Sequence, residues 1–169
     1  MQKIAQFEKV SFNEFFKAMQ DLNLDEKKAL EIYEGIKLPK RATTGSAGYD
    51  FFLPFAIYLA PGETIKIPTG IRVKIDDGWV LKLYPRSSLG FKYRLQLNNT
   101  VGIIDSDYYY SDNEGHIFAK MTNDSNENKV LELLEGSGFM QGIFVEYGIT
   151  YDDLTTETRN GGFGSTNKR

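Results

Sequence analysis

Residues 95–108 read LQLNNTVGIIDSDY. Leu95 and Leu97 lead into Asn98 and Asn99, and Val101, Ile103 and Ile104 follow before Asp105, Asp107 and Tyr108. Apolar runs on either side of a polar turn predict a hairpin with polar groups at its mouth. That mouth offers backbone N–H and C=O groups, the Asn99 carboxamide and the Tyr108 ring to a flat polar ligand. At its base, Asp105 and Asp107 are suited to taking a proton or holding a hydrated cation. The same residues also fit a surface hairpin whose Asp-Ser-Asp is only an Asx turn.

The surrounding chain has the same β texture. Short apolar-alternating runs at 57–59, 64–67, 71–75 and 79–84 are separated by Pro61-Gly62, Thr69-Gly70 and Asp76-Asp77-Gly78. Further runs lie at 116–121, 130–134 and 143–147. Many short strands with tight turns and no interleaved helices predict an all-β sandwich, jelly roll or small barrel. Residues 1–36 differ. Phe12, Phe15, Phe16 and Met19 fall on one helical face, and Ser11 with Glu14 has capping-box spacing. A second helix is expected from Asp25 to near Gly35. The acidic excess over 13–34 would repel phosphates, so the pair reads as a helical hairpin packed on a core of residues 37–154 rather than a DNA-binding unit. A regulatory protein partner is the alternative for it. Residues 155–169 are polar and Gly-rich and read as a flexible arm.

Composition narrows the chemistry. With 169 residues one domain is expected, and a formal charge of −3 argues against a nucleic-acid binder. The absence of Cys excludes disulfides, zinc-thiolate sites and thiol nucleophiles, and the single His excludes a multi-His metal site within the chain. A metal, if used, should be a hard cation held by oxygens, with Mg²⁺ the default beside phosphates. No signal peptide or run long enough to span a bilayer is seen, so a soluble, cytoplasmic protein with no membrane partner is expected.

Islands of chemistry interrupt the β background: AGYDFF at 47–52, PRSSLG at 85–90, the opening stretch, GSGFMQG at 136–142 and RNGGFGST at 159–166. In the last, Gly161, Gly162 and Gly164 let backbone N–H groups converge on an anion, Ser165 and Thr166 add hydroxyls, and Arg159 supplies a phosphate-matching fork. Phe163 is suited to stacking on a base. The Walker spacing is absent.

In this order the islands resemble the trimeric dUTP diphosphatase (dUTPase) family, over roughly residues 37–166. The resemblance implies a jelly-roll-like fold, a homotrimer with active sites between subunits, and Mg²⁺-dependent hydrolysis of dUTP to dUMP and pyrophosphate. Such an activity keeps uracil out of DNA and supplies dUMP for thymidylate synthesis. It also implies roles. Asp105 matches the carboxylate that activates water, and Tyr108 the ring that leaves no room for a 2′-hydroxyl. Asn99, with the backbone of Gly102 and Ile104, matches the uracil-reading edge. Asp50 matches the acid that reaches the metal through water. Arg86 and Ser87 match the catalytic phosphate pair, with Ser88 and Gln141 as further substrate contacts. Arg159, Phe163, Gly164, Ser165 and Thr166 match an arm that closes over the nucleotide from another subunit and meets Asp105 there. The chain departs from the family pattern at residues 110–114, which look inserted, and at Phe139-Met140. The rival of the same fold is a dCTP deaminase or bifunctional deaminase–diphosphatase; a rival of another class is a dUTP-sensing regulatory binding protein.

Overall fold

Sheet formation here begins before the expected β region. In the computed structural model, which describes residues 1–157 and 159, strand β1 (Ala5–Lys9) precedes the helices. Helix α1 (Phe12–Met19) starts at Ser11, whose hydroxyl accepts the Glu14 N–H, and α2 (Glu26–Gly35) starts at Asp25, whose carboxylate accepts the Lys28 N–H. Both caps stand where the sequence puts them. Then come β2 (Lys40–Arg41), β3 (Tyr49–Phe52), β4 (Ile57–Leu59), β5 (Thr64–Pro68), β6 (Ile71–Ile75) and β7 (Trp79–Pro85). Helix α3 (Ser87–Tyr93) follows, then β8 (Leu95–Leu97), β9 (Gly102–Ile104), β10 (Phe118–Asn123), β11 (Leu131–Leu133) and β12 (Gly138–Glu146).

The strands form an all-β, jelly-roll-like body. One sheet runs β2-β3-β12-β7-β9, another β5-β10-β8, and β4 pairs with β11 and β1 with β6. Every described pairing is antiparallel. Alternation decides which faces turn inward: β6 buries Ile71, Val73 and Ile75 and leaves Lys74 exposed. Phe51, Leu81, Leu83, Ile67, Met121 and Leu131 meet in one core, each almost fully buried.

Three expectations need correcting. The opening stretch is not a hairpin of paired partners: β8 pairs with β10 and β9 with β7. Its tight turn, with Thr100 at φ 66 and the Val101 N–H on the Asn99 carbonyl at 2.7 Å, sends the two runs into different sheets. The body also carries an interleaved helix, because PRSSLG opens α3 rather than a loop. Finally, GSGFMQG is mostly strand. A bulge between Gly138 and Met140 lets Phe139 and Met140 both point inward, where each is fully buried.

The N-terminal segment is part of the core. Phe15 and Met19 are 0 % exposed, and β1 aligns Phe7 with Val73. Gly70 marks the docking point: at φ 70, a Cβ there would stand 2.3 Å from Ile36 and 3.2 Å from Phe15. No helix among the described residues is long and apolar enough to cross a membrane.

Candidate active site

Strand β12 assembles the first group of candidate residues by lying between β3 and β7. Its Gln141 is in register with Asp50 on one side and Tyr84 on the other. The chain leaves β7 at Pro85, and Arg86 turns back onto β12: its N–H donates to the Phe139 carbonyl at 3.3 Å and Nη1 to the Gly138 carbonyl at 3.4 Å. Arg86 Nε lies 3.3 Å from Asp50 Oδ1. Gln141 Nε2 donates to the Pro85 carbonyl at 3.4 Å. Asp50, Arg86, Ser87 and Gln141 line a cavity of about 310 Å³ together with Ser46 and Gly48. A larger cleft of about 990 Å³ shares Ser46 and Ala47 with it but is walled by Met1–Ala5, Trp79 and Phe144 and contains none of the candidate residues. The smaller cavity gathers four of the candidate residues.

The second group sits where β9 ends. Asp105 leads into a 3-10 turn over Ser106–Tyr110, and its carbonyl accepts the Tyr108 N–H at 3.2 Å. Arg159 Nη2 donates to Asp105 Oδ2, and Nε to Asp107 Oδ1 at 3.1 Å. The same guanidinium lies over the Tyr108 ring, 5.9 Å from its centroid. Tyr108 is only 4 % exposed; its hydroxyl donates to the His116 carbonyl at 2.6 Å and accepts from Asn113 Nδ2 at 2.8 Å. Burial pushes the phenol above its ordinary pKa, against the hydrogen bond from Asn113 and the charge of Arg159, and keeps it neutral.

The candidates therefore fall into two groups. Among the described residues, no hydrogen bond or ion pair joins Asp50, Arg86, Ser87 and Gln141 to Asp105, Tyr108 and Arg159. Gly102 and Ile104 are buried on β9, whereas Asn99 and Ser88 are exposed and do not line the cavity. Within this single chain, Arg159 meets the chain's own Asp105. Phe163, Gly164, Ser165 and Thr166 lie outside the described residues. Asn113 is the contact that sequence reasoning missed. It donates to the Tyr108 hydroxyl from within residues 110–114, and no motif announces such a role.

The donor set fits a hydrated Mg²⁺. Asp50 offers one carboxylate beside the cavity, and among the described residues no three His, Cys, Asp or Glu side chains gather to form a protein cage. A cation there would be held through water and phosphate oxygens.

Comparison with known proteins bears on family and fold. A family profile for dUTPase matches residues 34–167. The deoxyuridine 5′-triphosphate nucleotidohydrolase of Lactococcus lactis is 45 % identical over 135 residues, which is 78 % of this chain and 89 % of that protein. The dUTPase of Streptococcus mutans superimposes with a TM-score of 0.64 at 34 % identity, covering 85 % of this chain and 97 % of that one. A dUTPase variant of the Staphylococcus aureus phage φ11, described with a structural Mg(II) ion, shares the fold at a TM-score of 0.63 and 20 % identity, over 92 % of this chain and 98 % of that one.

Proposed function

Because the chain belongs to the dUTPase family, we propose that it hydrolyses dUTP to dUMP and pyrophosphate. The observation that carries this is the gathering of Asp50, Arg86, Ser87 and Gln141, distant in sequence, around one cavity of about 310 Å³. A cationic fork, a hydroxyl, a carboxamide and an acid group suit a triphosphate, whose cleavage needs charge neutralisation and an in-line water rather than covalent catalysis.

The roles divide as follows. Arg86 and the Ser87 hydroxyl hold phosphate oxygens, with Gln141 and Ser88 as further contacts. Asp105 takes the proton of the attacking water. The water oxygen bonds to phosphorus as the anhydride bond to pyrophosphate breaks, and Arg86 and Arg159 offset the charge that leaves. Mg²⁺, held through water by Asp50, adds neutralisation when bound. Arg159 exchanges its two carboxylates for phosphate oxygens, which frees Asp105 and uncovers the face of Tyr108 for the sugar. The turn at Asn99, with the backbone of Gly102 and Ile104, reads the uracil edge. As dUTP is a soluble nucleotide, the place of action is the cytoplasm.

The homotrimer belongs to the same proposal. Two unjoined half-sites in one chain become a whole site when one subunit's Arg86 group faces another's Asp105 group. Exposed Phe91, Ile149, Tyr151 and Leu154 supply apolar surface for such contacts.

Pyrophosphate release measured with dUTP, dTTP, dCTP and UTP in the presence of Mg²⁺ tests the assignment. Release from dUTP with rejection of the others by roughly 10⁴ is expected, because a site that reads an edge by hydrogen bonds leaves buried groups unpaired against the wrong base. Equal rates on dUTP and dTTP would overturn the uracil assignment.

A further inference from the structure

The Tyr108 side chain is held by its hydroxyl end, and both partners lie in the loop that follows it. Asn113 uses both ends of its carboxamide there: Nδ2 donates to the Tyr108 hydroxyl at 2.8 Å, and Oδ1 accepts from the Gly115 N–H at 3.2 Å. The loop closes on itself through Ser111 N–H to the Tyr108 carbonyl at 3.0 Å, Glu114 N–H to the Ser111 carbonyl at 2.8 Å and His116 N–H to the Asn113 carbonyl at 3.0 Å. Gly115, at φ 71, packs so tightly that a Cβ would stand 2.8 Å from the Tyr108 carbonyl oxygen.

This loop is bolted to the N-terminal segment. Glu114 adopts φ 58, a strained conformation for a residue with a side chain, and its carboxylate accepts from the Ser11 N–H at 2.7 Å and the Ser11 hydroxyl at 2.6 Å. The capping box expected from Ser11 and Glu14 is thus only half formed. Glu114 takes the reciprocal place, and Glu14 instead turns toward His116 Nδ1, 3.8 Å away. A second bolt stands beside it. The Tyr109 hydroxyl donates to Glu8 on β1 at 2.7 Å, while its carbonyl accepts from Arg72 on β6 at 2.8 Å.

We propose that Asn113 and Glu114 are positioning residues that lock the Tyr108 ring and thereby set the preference for deoxyribose over ribose, with helix α1 as the anchor of the lock. The inference rests on Tyr108 being the wall against the sugar. A ring held at its hydroxyl from two sides cannot yield to a 2′-hydroxyl, whereas a ring released at that end can. Displacements of about 1 Å at such a wall change rates by roughly 10²-fold.

The test is kcat and KM for dUTP and UTP in the full-length protein and in Asn113→Ala, Asn113→Asp, Glu114→Gln and Tyr108→Ala. Asn113→Asp keeps the shape while losing the donor, and so carries the test if the alanine variant does not fold. In both Asn113 variants the ratio of kcat/KM for dUTP over UTP is expected to fall at least roughly tenfold, and Glu114→Gln should move it the same way by less. A loss of stability alone would leave that ratio unchanged. In a Tyr108→Phe background, which lacks the hydroxyl, Asn113→Ala should produce no further fall. An unchanged ratio in the Asn113 variants while Tyr108→Ala lowers it overturns the inference alone. An unchanged ratio in Tyr108→Ala overturns the sugar reading and the inference with it.

Discussion

Asp105 is asked to accept a proton from water while an arginine of its own chain holds its carboxylate. Its amide replacement keeps the shape and cannot take the proton. Asp105→Asn should therefore lower turnover by roughly 10²–10⁴ with dUTP binding retained, measured as pyrophosphate release beside calorimetric titration. Normal turnover would shift the role to Asp107. His116 allows a prediction of another kind. Burial, helped by Lys66 and opposed by Glu114, pushes its pKa down to about 3, so it stays neutral in the fold and its Nε2 accepts the Gly70 N–H at 2.9 Å. An unfolded chain binds that proton near pH 6.5, so the unfolded state carries more protons between 6.5 and about 3. Stability is then lost as pH falls through that window, by at most about 1.4 kcal/mol per pH unit. Glu14, whose carboxyl is raised by burial despite Lys17, works in the opposite sense at the acidic end. Urea melts at pH 7 and 5.5 should show the loss in wild type and much less of it in His116→Gln, which retains an acceptor for Gly70; a wild type equally stable at both would refute the neutral buried His116. That Asp50, Arg86, Ser87 and Gln141 gather around one cavity was legible through the resemblance of the motifs that carry them to the dUTPase family. Asn113 was not, since holding a hydroxyl needs only a donor at the right place.

Among the elements, those with a local signal were the legible ones. Ser11 and Asp25 cap the helices that the apolar spacing predicts, and β4 to β7 follow their alternation. Pairing partners were hidden, because β8 and β9 diverge through a turn whose Thr100 conformation no residue type declares. Strand β1 was hidden too, since its exposed edge carries too few apolar residues to alternate visibly. The N-terminal elements are structural in their own right. Phe15→Ala should cost about 3–5 kcal/mol, as expected for a fully buried aromatic, when measured by denaturant unfolding. Deleting residues 1–35 removes the partner of β6 together with Phe15 and Met19, and should lower the unfolding midpoint further still. A truncated chain as stable as wild type would mean that β6 and the core are satisfied without them.

For the whole molecule, the proposed trimer with sites between subunits can be tested by complementation. Arg86→Ala and Asp105→Asn should each be nearly inactive alone. Refolded together in equal amounts, a site takes its Arg86 from one kind of chain and its Asp105 from the other. Random assembly of a closed ring then restores about a quarter of wild-type sites. Mixed oligomers verified by mass but without regained activity would mean that each chain builds its site alone. One feature of the lock reaches beyond any single assay. The family match begins at residue 34, so Glu8 and Ser11 lie outside it while their partners Tyr109 and Glu114 lie inside. Loop and N-terminal segment therefore grip one another across the boundary of the match: grafted into a relative without the first 33 residues, the loop would arrive without its hinge-pin, and the segment grafted without the loop would have nothing to grip.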